Sequence, residues 1–144
     1  MIKTTSAHQL SLAVICYSPL QFIFWYDVPD DYHGEPEVEF FEKVPTVWDE
    51  TKVLQGEIGQ YITMARRKGA EWFLGTATNN DARTLEIPLG FLEKGRTYEA
   101  TIYHDDPGVK TRTRVGIKKI KVDASKSIQA SLQASGGQAV WLRP

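Results

Sequence analysis

The stretch VPTVWDETKVL, residues 44–54, joins an apolar N-terminal part of the chain to a part in which polar and apolar residues alternate. Pro45 has no backbone donor and restricts Val44, so helical structure arriving from the N-terminal side is predicted to end near Val44. Trp48 is a large ring on a connecting segment, and we expect it to lie between two packed bodies. Asp49 and Glu50, beside it, are expected to cap or anchor this joint.

The segment before the joint is predicted to begin with a buried helix. Residues 6–9 match a capping box in which Ser6 and Gln9 satisfy each other's backbone donors. From Leu10 to Tyr26 almost every side chain is apolar or aromatic, and a helix that is apolar all round is expected to be buried all round. Pro19 predicts a kink or a break. A membrane span is not expected, because the run is shorter than about 20 residues and is interrupted by polar residues.

A loop and a short helix are predicted between this segment and the joint. Residues 27–36 are rich in acids and turn formers and indicate an exposed loop. Pro36 suits the first turn of a helix, which is expected over residues 37–44. Val38 and Phe41 are expected to face inward, with Phe40 as an alternative.

After the joint the sequence predicts an antiparallel β-sandwich of seven or eight strands. Short β-rich runs alternate with turn signals such as Lys68-Gly69, and their spacing is typical of sandwiches. Alternation defines three inward-facing sets. They are Leu85, Ile87 and Leu89; Tyr98, Ala100 and Ile102; and Ile128, Ala130 and Leu132. The fold class is therefore mainly β, with an N-terminal helical segment. We divide the chain into residues 1–26, a linker over 27–55 and a sandwich domain over 56–144.

Composition narrows the function classes. The 144 residues carry a net charge of -1 and suffice for one modest core. A basic run over residues 110–121 lacks the aromatic side chains that stack on bases, so no nucleic-acid partner is expected. Cys16, the only cysteine, is interpreted as a small buried hydrophobe. The first residues lack the order of a signal peptide, so an export signal is expected only on sequence outside this chain.

Catalytic and metal-binding motifs are not found. His8, His33 and His104 have no partner at a metal-ligand interval. Asp49 and Glu50 are neighbours in sequence, whereas glycoside hydrolysis needs two carboxyl groups that face each other across a bond. We therefore predict no catalytic, cofactor-binding or metal-binding residue. Trp72 and Tyr61 could contact a sugar if they shared an exposed sheet face, and core packing is the competing interpretation.

Several motifs in one order resemble the C-terminal end of glycoside hydrolase family 97, the α-glucosidases and α-galactosidases of Bacteroidetes. The resemblance covers nearly the whole chain. These motifs are Thr4–Leu10, Tyr17–Gln21, Val44–Thr51, Ile62–Gly69 and Ala82–Leu85.

The resemblance implies a (β/α)8 catalytic barrel upstream and a C-terminal sandwich. Residues 1–26 would then be the terminal helix of the barrel. It also implies that the catalytic and calcium-binding glutamates lie upstream of this sequence, and that the parent is periplasmic or secreted. We expect a non-catalytic accessory domain that stabilises an enzyme acting on oligosaccharides; the alternative is a carbohydrate-binding module. Trp48, Asp49, Glu50, Tyr17 and Leu20 are candidates for packing between domains.

The expected partner is the barrel. When the barrel is absent, the apolar helix is expected either to dimerise through Leu12, Ile15 and Phe22 or to pack against the sandwich, because large exposed apolar patches rarely persist.

Overall fold

The computed structural model describes residues 3–23, 25 and 28–144. Within these residues, two short α-helices precede eight strands. The helices are α1 (Ser6–Ile15) and α2 (Glu39–Lys43), with 3₁₀ turns at Pro29–Asp31 and Pro36–Val38. The strands are β1 (Glu50–Glu57), β2 (Tyr61–Lys68), β3 (Glu71–Thr78), β4 (Arg83–Pro88), β5 (Tyr98–Asp105), β6 (Val115–Val122), β7 (Ser127–Leu132) and β8 (Gly137–Arg143).

The strands form two antiparallel sheets, which confirms the predicted mainly β sandwich. Six strands make one sheet in the order β1-β2-β3-β8-β5-β6, and β4 pairs with β7 in a second sheet. The larger sheet therefore has two faces to cover. The β4–β7 pair covers one face, and α1 with the residues that follow it covers the other.

The core between the two sheets follows the predicted alternation. Ile87, Leu89, Ala100, Ile102 and Ala130 have no exposed surface. The other members of the three predicted sets also lie in this cluster, with Leu85 partly buried at its edge. Alternating apolar residues on facing strands thus point into one shared core.

On the opposite face, α1 lies directly on β3 and β8. Ala7, Leu10 and Val14 are fully buried there. A Cβ on Gly75 would come within 2.6 Å of the Ser11 carbonyl oxygen, and one on Gly137 within 2.5 Å of the His8 Cα. Two glycines therefore allow the helix backbone to approach the sheet closely. The helix thus packs against the sandwich, as one of the two expected outcomes has it, while a dimer through Leu12, Ile15 and Phe22 stays a prediction.

The helix is shorter than predicted and is capped one residue earlier. Thr5, rather than Ser6, is the N-cap, and its hydroxyl accepts a hydrogen bond from the His8 amide at 3.1 Å. The chain becomes extended at Cys16, ten residues before Tyr26, which itself lies outside the described residues. Pro19 disfavours helical geometry at the residue before it, which helps to end the helix in this region. The predicted burial of Cys16 is wrong, because its side chain is exposed.

Two further predictions need correction around the joint. The second helix ends at Lys43 with Val44 as its cap, as predicted, but Phe40 is the fully buried residue, while Phe41 is half-buried. Strand β1, Glu50–Glu57, begins inside the joint and was not predicted. None of its residues is fully buried, so its sequence lacks the strong alternation that marks the inner strands.

Candidate interdomain surface

Arg66 fixes the C-terminal end of α1 to the sheet. Its Nε donates to the Val14 carbonyl at 2.6 Å and its Nη2 to the Ile15 carbonyl at 3.2 Å. Its Nη1 donates to the Thr51 hydroxyl at 2.8 Å. These carbonyls are among those that a helix leaves without partners at its C-terminus. Burial lowers the pKa of the Arg66 guanidinium from its ordinary value, and a cation there also complements the helix dipole.

The chain then turns back in a segment that we name the apolar strap, residues 17–23. Four of its side chains are exposed: Tyr17 by 60%, Leu20 by 70%, Phe22 by 92% and Ile23 by 49%. Phenylalanine is rarely left this exposed on a finished protein surface. Four large apolar side chains within seven residues form a patch of the kind that marks an interaction site.

The backbone of the apolar strap is held in place by its own polar residues. Gln21 donates from Nε2 to the carbonyls of Ala13 at 3.3 Å and Cys16 at 3.1 Å. The Ser18 hydroxyl accepts from the Leu20 amide at 3.3 Å. Tyr17 places its ring over the Arg66 guanidinium, 5.4 Å from ring centre to Cζ. The segment is therefore attached to α1 while its large apolar side chains remain largely exposed.

A groove of about 290 Å³ lies between the apolar strap, α1 and α2. Its walls include Leu12 and Ala13 of the helix, Leu20 and Phe22 of the strap, and Phe41 of α2. The groove is mostly apolar, so it suits an apolar side chain from a partner more than it suits a sugar, which needs several convergent polar groups.

The joint packs inward and is anchored by its two acids. Trp48 places its ring edge-on against Phe73, 5.6 Å between centroids, and is half-buried. The Asp49 carboxylate accepts from the Gly69 amide at 2.7 Å and from Lys68 at 3.2 Å. The Gly69 bond first, and then Lys68, lower the pKa of Asp49 below its ordinary value.

Glu50, the first residue of β1, is held in the same way. It pairs with Lys52 at 2.7 Å and with Arg67 at 3.1 Å. Lys52 and then Arg67 lower the pKa of Glu50. Both acids of the joint are thus engaged within the chain, and each has its own cations. This arrangement differs from a pair of carboxylates that face each other across a substrate.

The two residues proposed for sugar contact are not arranged as a platform. Trp72 is only 5% exposed and packs against Phe91 in the core between the sheets, with ring centroids 4.8 Å apart. Core packing, the competing interpretation, is therefore confirmed for Trp72, because β3 is covered on both faces, and the condition for a sugar contact through this residue is not met. Tyr61 is half-buried, and Arg83 covers its ring.

Two kinds of feature are absent from the part of the chain that the structure describes. Within residues 3–23, 25 and 28–144, no three histidine, cysteine, aspartate or glutamate side chains come together closely enough to hold a metal ion. Among the helices described, none is long and apolar enough to cross a bilayer. Sequence reasoning missed the role of Arg66, because its partners at Val14 and Ile15 are 52 and 51 residues away.

Comparison with known proteins identifies similar chains. The family described as glycosyl-hydrolase 97 C-terminal, oligomerisation, matches residues 47–143. A retaining alpha-galactosidase of Bacteroides thetaiotaomicron is 42% identical over 106 residues, which are 73% of this chain and 16% of that protein. A probable retaining alpha-galactosidase of Streptomyces bingchenggensis is 34% identical over 86 residues, 59% of this chain and 13% of that protein. The chain thus spans about a sixth or less of the length of these relatives.

Solved structures show the same arrangement. A glycoside hydrolase family 97 enzyme from Pseudoalteromonas sp. strain K8, in complex with acarbose, superposes with a TM-score of 0.87 at 38% identity. The match covers 97% of this chain and 22% of that enzyme, so it includes the helical layer as well as both sheets. A beta-arabinopyranosidase superposes with a TM-score of 0.76 at 27% identity over 96% of this chain and 21% of that one.

Proposed function

Because the chain belongs to the family of glycoside hydrolase 97 C-terminal domains, we propose that it is the non-catalytic accessory domain of a larger α-glycosidase. Its apolar strap packs against the catalytic barrel of that enzyme. The parent enzyme hydrolyses α-glucosidic or α-galactosidic bonds in oligosaccharides. Its catalytic and calcium-binding glutamates lie outside this chain. By the same resemblance, the parent is periplasmic or secreted.

The observation that carries this proposal is the exposure of Phe22, at 92%, on a strap whose backbone is already fixed by Gln21. Because Gln21 already holds the backbone beside Phe22, less backbone freedom is lost when a partner binds, which favours association. Burying one phenylalanine of this kind stabilises a complex by about 1.5–3 kcal/mol. Tyr17 and Leu20 of the strap add further apolar surface beside it. Of the candidates for packing between domains, Tyr17 and Leu20 thus lie on the exposed strap. The other three, Trp48, Asp49 and Glu50, lie in the joint and make contacts within the chain.

The helix α1 gives the barrel contact a firm base. Each of its ten residues is buried or half-buried, and Arg66 holds its C-terminal carbonyls. We propose that α1 is the terminal helix of the barrel, with one side on the sandwich and the other toward the barrel. The domain then joins the two bodies through a rigid element rather than through a flexible linker.

Adding the chain to a parent enzyme truncated before this domain tests the barrel contact. We expect the thermal midpoint of the truncated barrel to rise when the 144-residue chain is present. Phe22→Glu should abolish that rise, because it places a charge where the apolar contact forms. Ile58→Glu is the matched control, because it places the same charge at an exposed apolar position outside the apolar strap, in the turn between β1 and β2. This variant should still raise the thermal midpoint. An unchanged midpoint with the unsubstituted chain would refute the proposal.

The chain by itself should neither turn over nor bind sugars. We expect no hydrolysis of nitrophenyl α-glucoside or α-galactoside, because the acids of the joint are held by Lys68, Lys52 and Arg67. Titration with maltooligosaccharides or galactosides should leave tryptophan fluorescence unchanged, since none of the four tryptophans is classed as exposed. A saturable fluorescence change would instead support the carbohydrate-binding alternative.

A further inference from the structure

The hairpin that joins β1 to β2 carries a fully exposed isoleucine, Ile58. Ile58 is 103% exposed at the tip of the turn, next to Gly59, whose φ of +76° shapes the turn. Turn positions of this kind favour Gly, Asn, Asp or Ser for backbone reasons. A β-branched apolar residue has no such backbone advantage in a turn, so the residues around Ile58 decide whether it belongs to a larger apolar surface.

Ile58 does not stand alone. It lines a groove of about 520 Å³ together with Val53, Gly56, Tyr61, Ile62 and Ala77. Val53 is 64% exposed on β1. We name these six residues the hairpin groove. Its full lining contains one carboxylate, Glu57, which accepts a hydrogen bond from Gln60, and no cation.

We propose that the hairpin groove is the surface through which this domain binds a second copy of itself. This inference rests on the proposed function only for its premise that the chain is the C-terminal domain of a larger enzyme. The family match described as oligomerisation spans residues 47–143. That range contains the whole hairpin groove and excludes the apolar strap, so the two apolar surfaces are assigned to different partners.

Charge favours the hairpin groove over the exposed isoleucines of the edge strand β6, which also lie in the matched range. Ile117 and Ile120 on the edge strand β6 are 37% and 38% exposed, but Lys118, Lys119 and Lys121 lie among them and are exposed. A twofold contact places the same patch of both copies together, and lysines would then face lysines. Lysines on an edge strand are also a common device against edge pairing. The hairpin groove, with a single carboxylate, carries a much smaller repulsion.

The geometry also favours packing of surfaces over extension of the sheet. The register of β1 shifts between Val53 and Gln55, and a bulge of this kind interrupts the row of groups that another strand would pair with. The contact is therefore expected to insert the Ile58 side chain of one copy into the apolar groove of the other. An exposed residue that fills a partner's pocket is the usual form of a binding hot spot.

The test is the association state of the 144-residue chain, measured by sedimentation velocity over a range of concentrations. We expect a concentration-dependent dimer. Ile58→Glu should weaken the dimer by about tenfold or more, because it replaces apolar burial by a charge in an apolar groove. Val53→Glu should act in the same direction, while Ile58→Leu should keep the dimer. Because Ile58 is fully exposed, the two variants at position 58 should have the same free energy of unfolding as the unsubstituted chain. Denaturant unfolding curves check this.

Phe22→Glu is the matched control and should leave the dimer unchanged. A chain that stays monomeric at all concentrations, or an Ile58→Glu variant that dimerises normally, overturns the proposal. So does a dimer that is lost on Phe22→Glu but kept on Ile58→Glu, since it would form through the apolar strap. Failure here leaves the barrel assay untouched, because that assay depends on Phe22 and tolerates Ile58→Glu.

Discussion

The two faces of the six-stranded sheet are built in different ways. The face toward β4 and β7 meets a second sheet of the same chain, and Leu74, Ile102 and Val140 at its centre are at most 1% exposed. The opposite face meets α1, α2 and the joint. The chain that follows α1 is the exposed apolar strap. The first core is complete within the chain, whereas the second ends in a surface that is itself apolar.

The second face also carries, in the described part of the chain, more buried polar atoms that lack a hydrogen-bond partner. The Tyr103 hydroxyl, the Glu37 Oε1 and the Trp48 Nε1 are buried and have no hydrogen-bond partner among the described residues. Burial, with a smaller contribution from Glu39, raises the pKa of Tyr103 to about 12. Buried polar atoms without partners cost about 1–3 kcal/mol each. These three atoms lie in the helical layer and the joint rather than in the core between the two sheets.

The strongest test of this difference is a cavity in the complete core. Ile102→Ala should lower the free energy of unfolding by about 2–5 kcal/mol, because the side chain is fully buried between the sheets. Urea unfolding measures the change. Ile117→Ala, at an exposed position of the neighbouring strand β6, should change it by less than about 0.5 kcal/mol. Equal effects at the two positions would mean that the core is not sealed as described.

A methyl group at Gly75 should separate the helical layer from the sheet. The added Cβ would meet the Ser11 carbonyl oxygen at 2.6 Å and the Val14 Cβ at 3.0 Å. Since both belong to α1, Gly75→Ala should push the helix outward at a cost of about 1–3 kcal/mol. Gly90→Ala is the control, because nothing lies within 4 Å of its Cβ position. Denaturant unfolding that fails to separate the two variants would contradict the close approach.

Removing the Arg66 guanidinium should loosen the end of α1 without affecting the complete core. Arg66→Met retains much of the side-chain length but leaves the Val14 and Ile15 carbonyls without their donors, and we expect a loss of about 1–2 kcal/mol. Hydrogen exchange should show faster exchange of amides in residues 6–15 and unchanged exchange in β5 and β8. Arg66→Lys should recover only part of the protection, because an ammonium group cannot reproduce the planar fork. Uniform loss of protection across the chain would point to general destabilisation instead.

The joint should respond to acid through Asp49. Its pKa is lowered in the folded chain from an ordinary value of 3.8, so its contribution to stability is present above that value and is lost as the pH falls through the folded pKa. The unfolding midpoints of the unsubstituted chain and of the Asp49→Asn variant should therefore differ at about pH 7 and converge at about pH 2. Because this carboxylate is solvent-accessible, the difference should be small. A gap that is independent of pH would exclude the charge as its cause.

The sequence predicted the complete core well because local rules determine it. Alternation along β5 and β7 identified Tyr98, Ala100, Ile128 and Ala130 as inward-facing, and the structure confirms each. The same rule fails for Trp72, because every residue of β3 after Glu71 is buried. When both faces of a strand are covered, alternation disappears and sequence no longer tells which side a ring occupies.

The helical layer was harder to predict because distant residues determine it. An apolar run from Leu10 onward is compatible with a long helix or with a short helix and an extended strap. Pro19 suggested a break, but the end at Ile15 also depends on donors from Arg66. The exposure of Cys16 follows from that early end. Isolated exposed residues such as Ile58 carry no pattern at all, and only the structure shows that they share a groove.

The smallest expected effect completes the comparison. Phe22→Glu should change the unfolding free energy of the chain by less than about 0.5 kcal/mol, because a side chain that is 92% exposed contributes little to its own fold. Phe73→Ala, a truncation of a buried ring on the same side of the sheet, should cost about 3–5 kcal/mol. A large loss at Phe22 would mean that the strap serves the chain's own stability. A negligible change in unfolding free energy, combined with loss of the barrel stabilisation, would show that Phe22 serves the contact with the barrel.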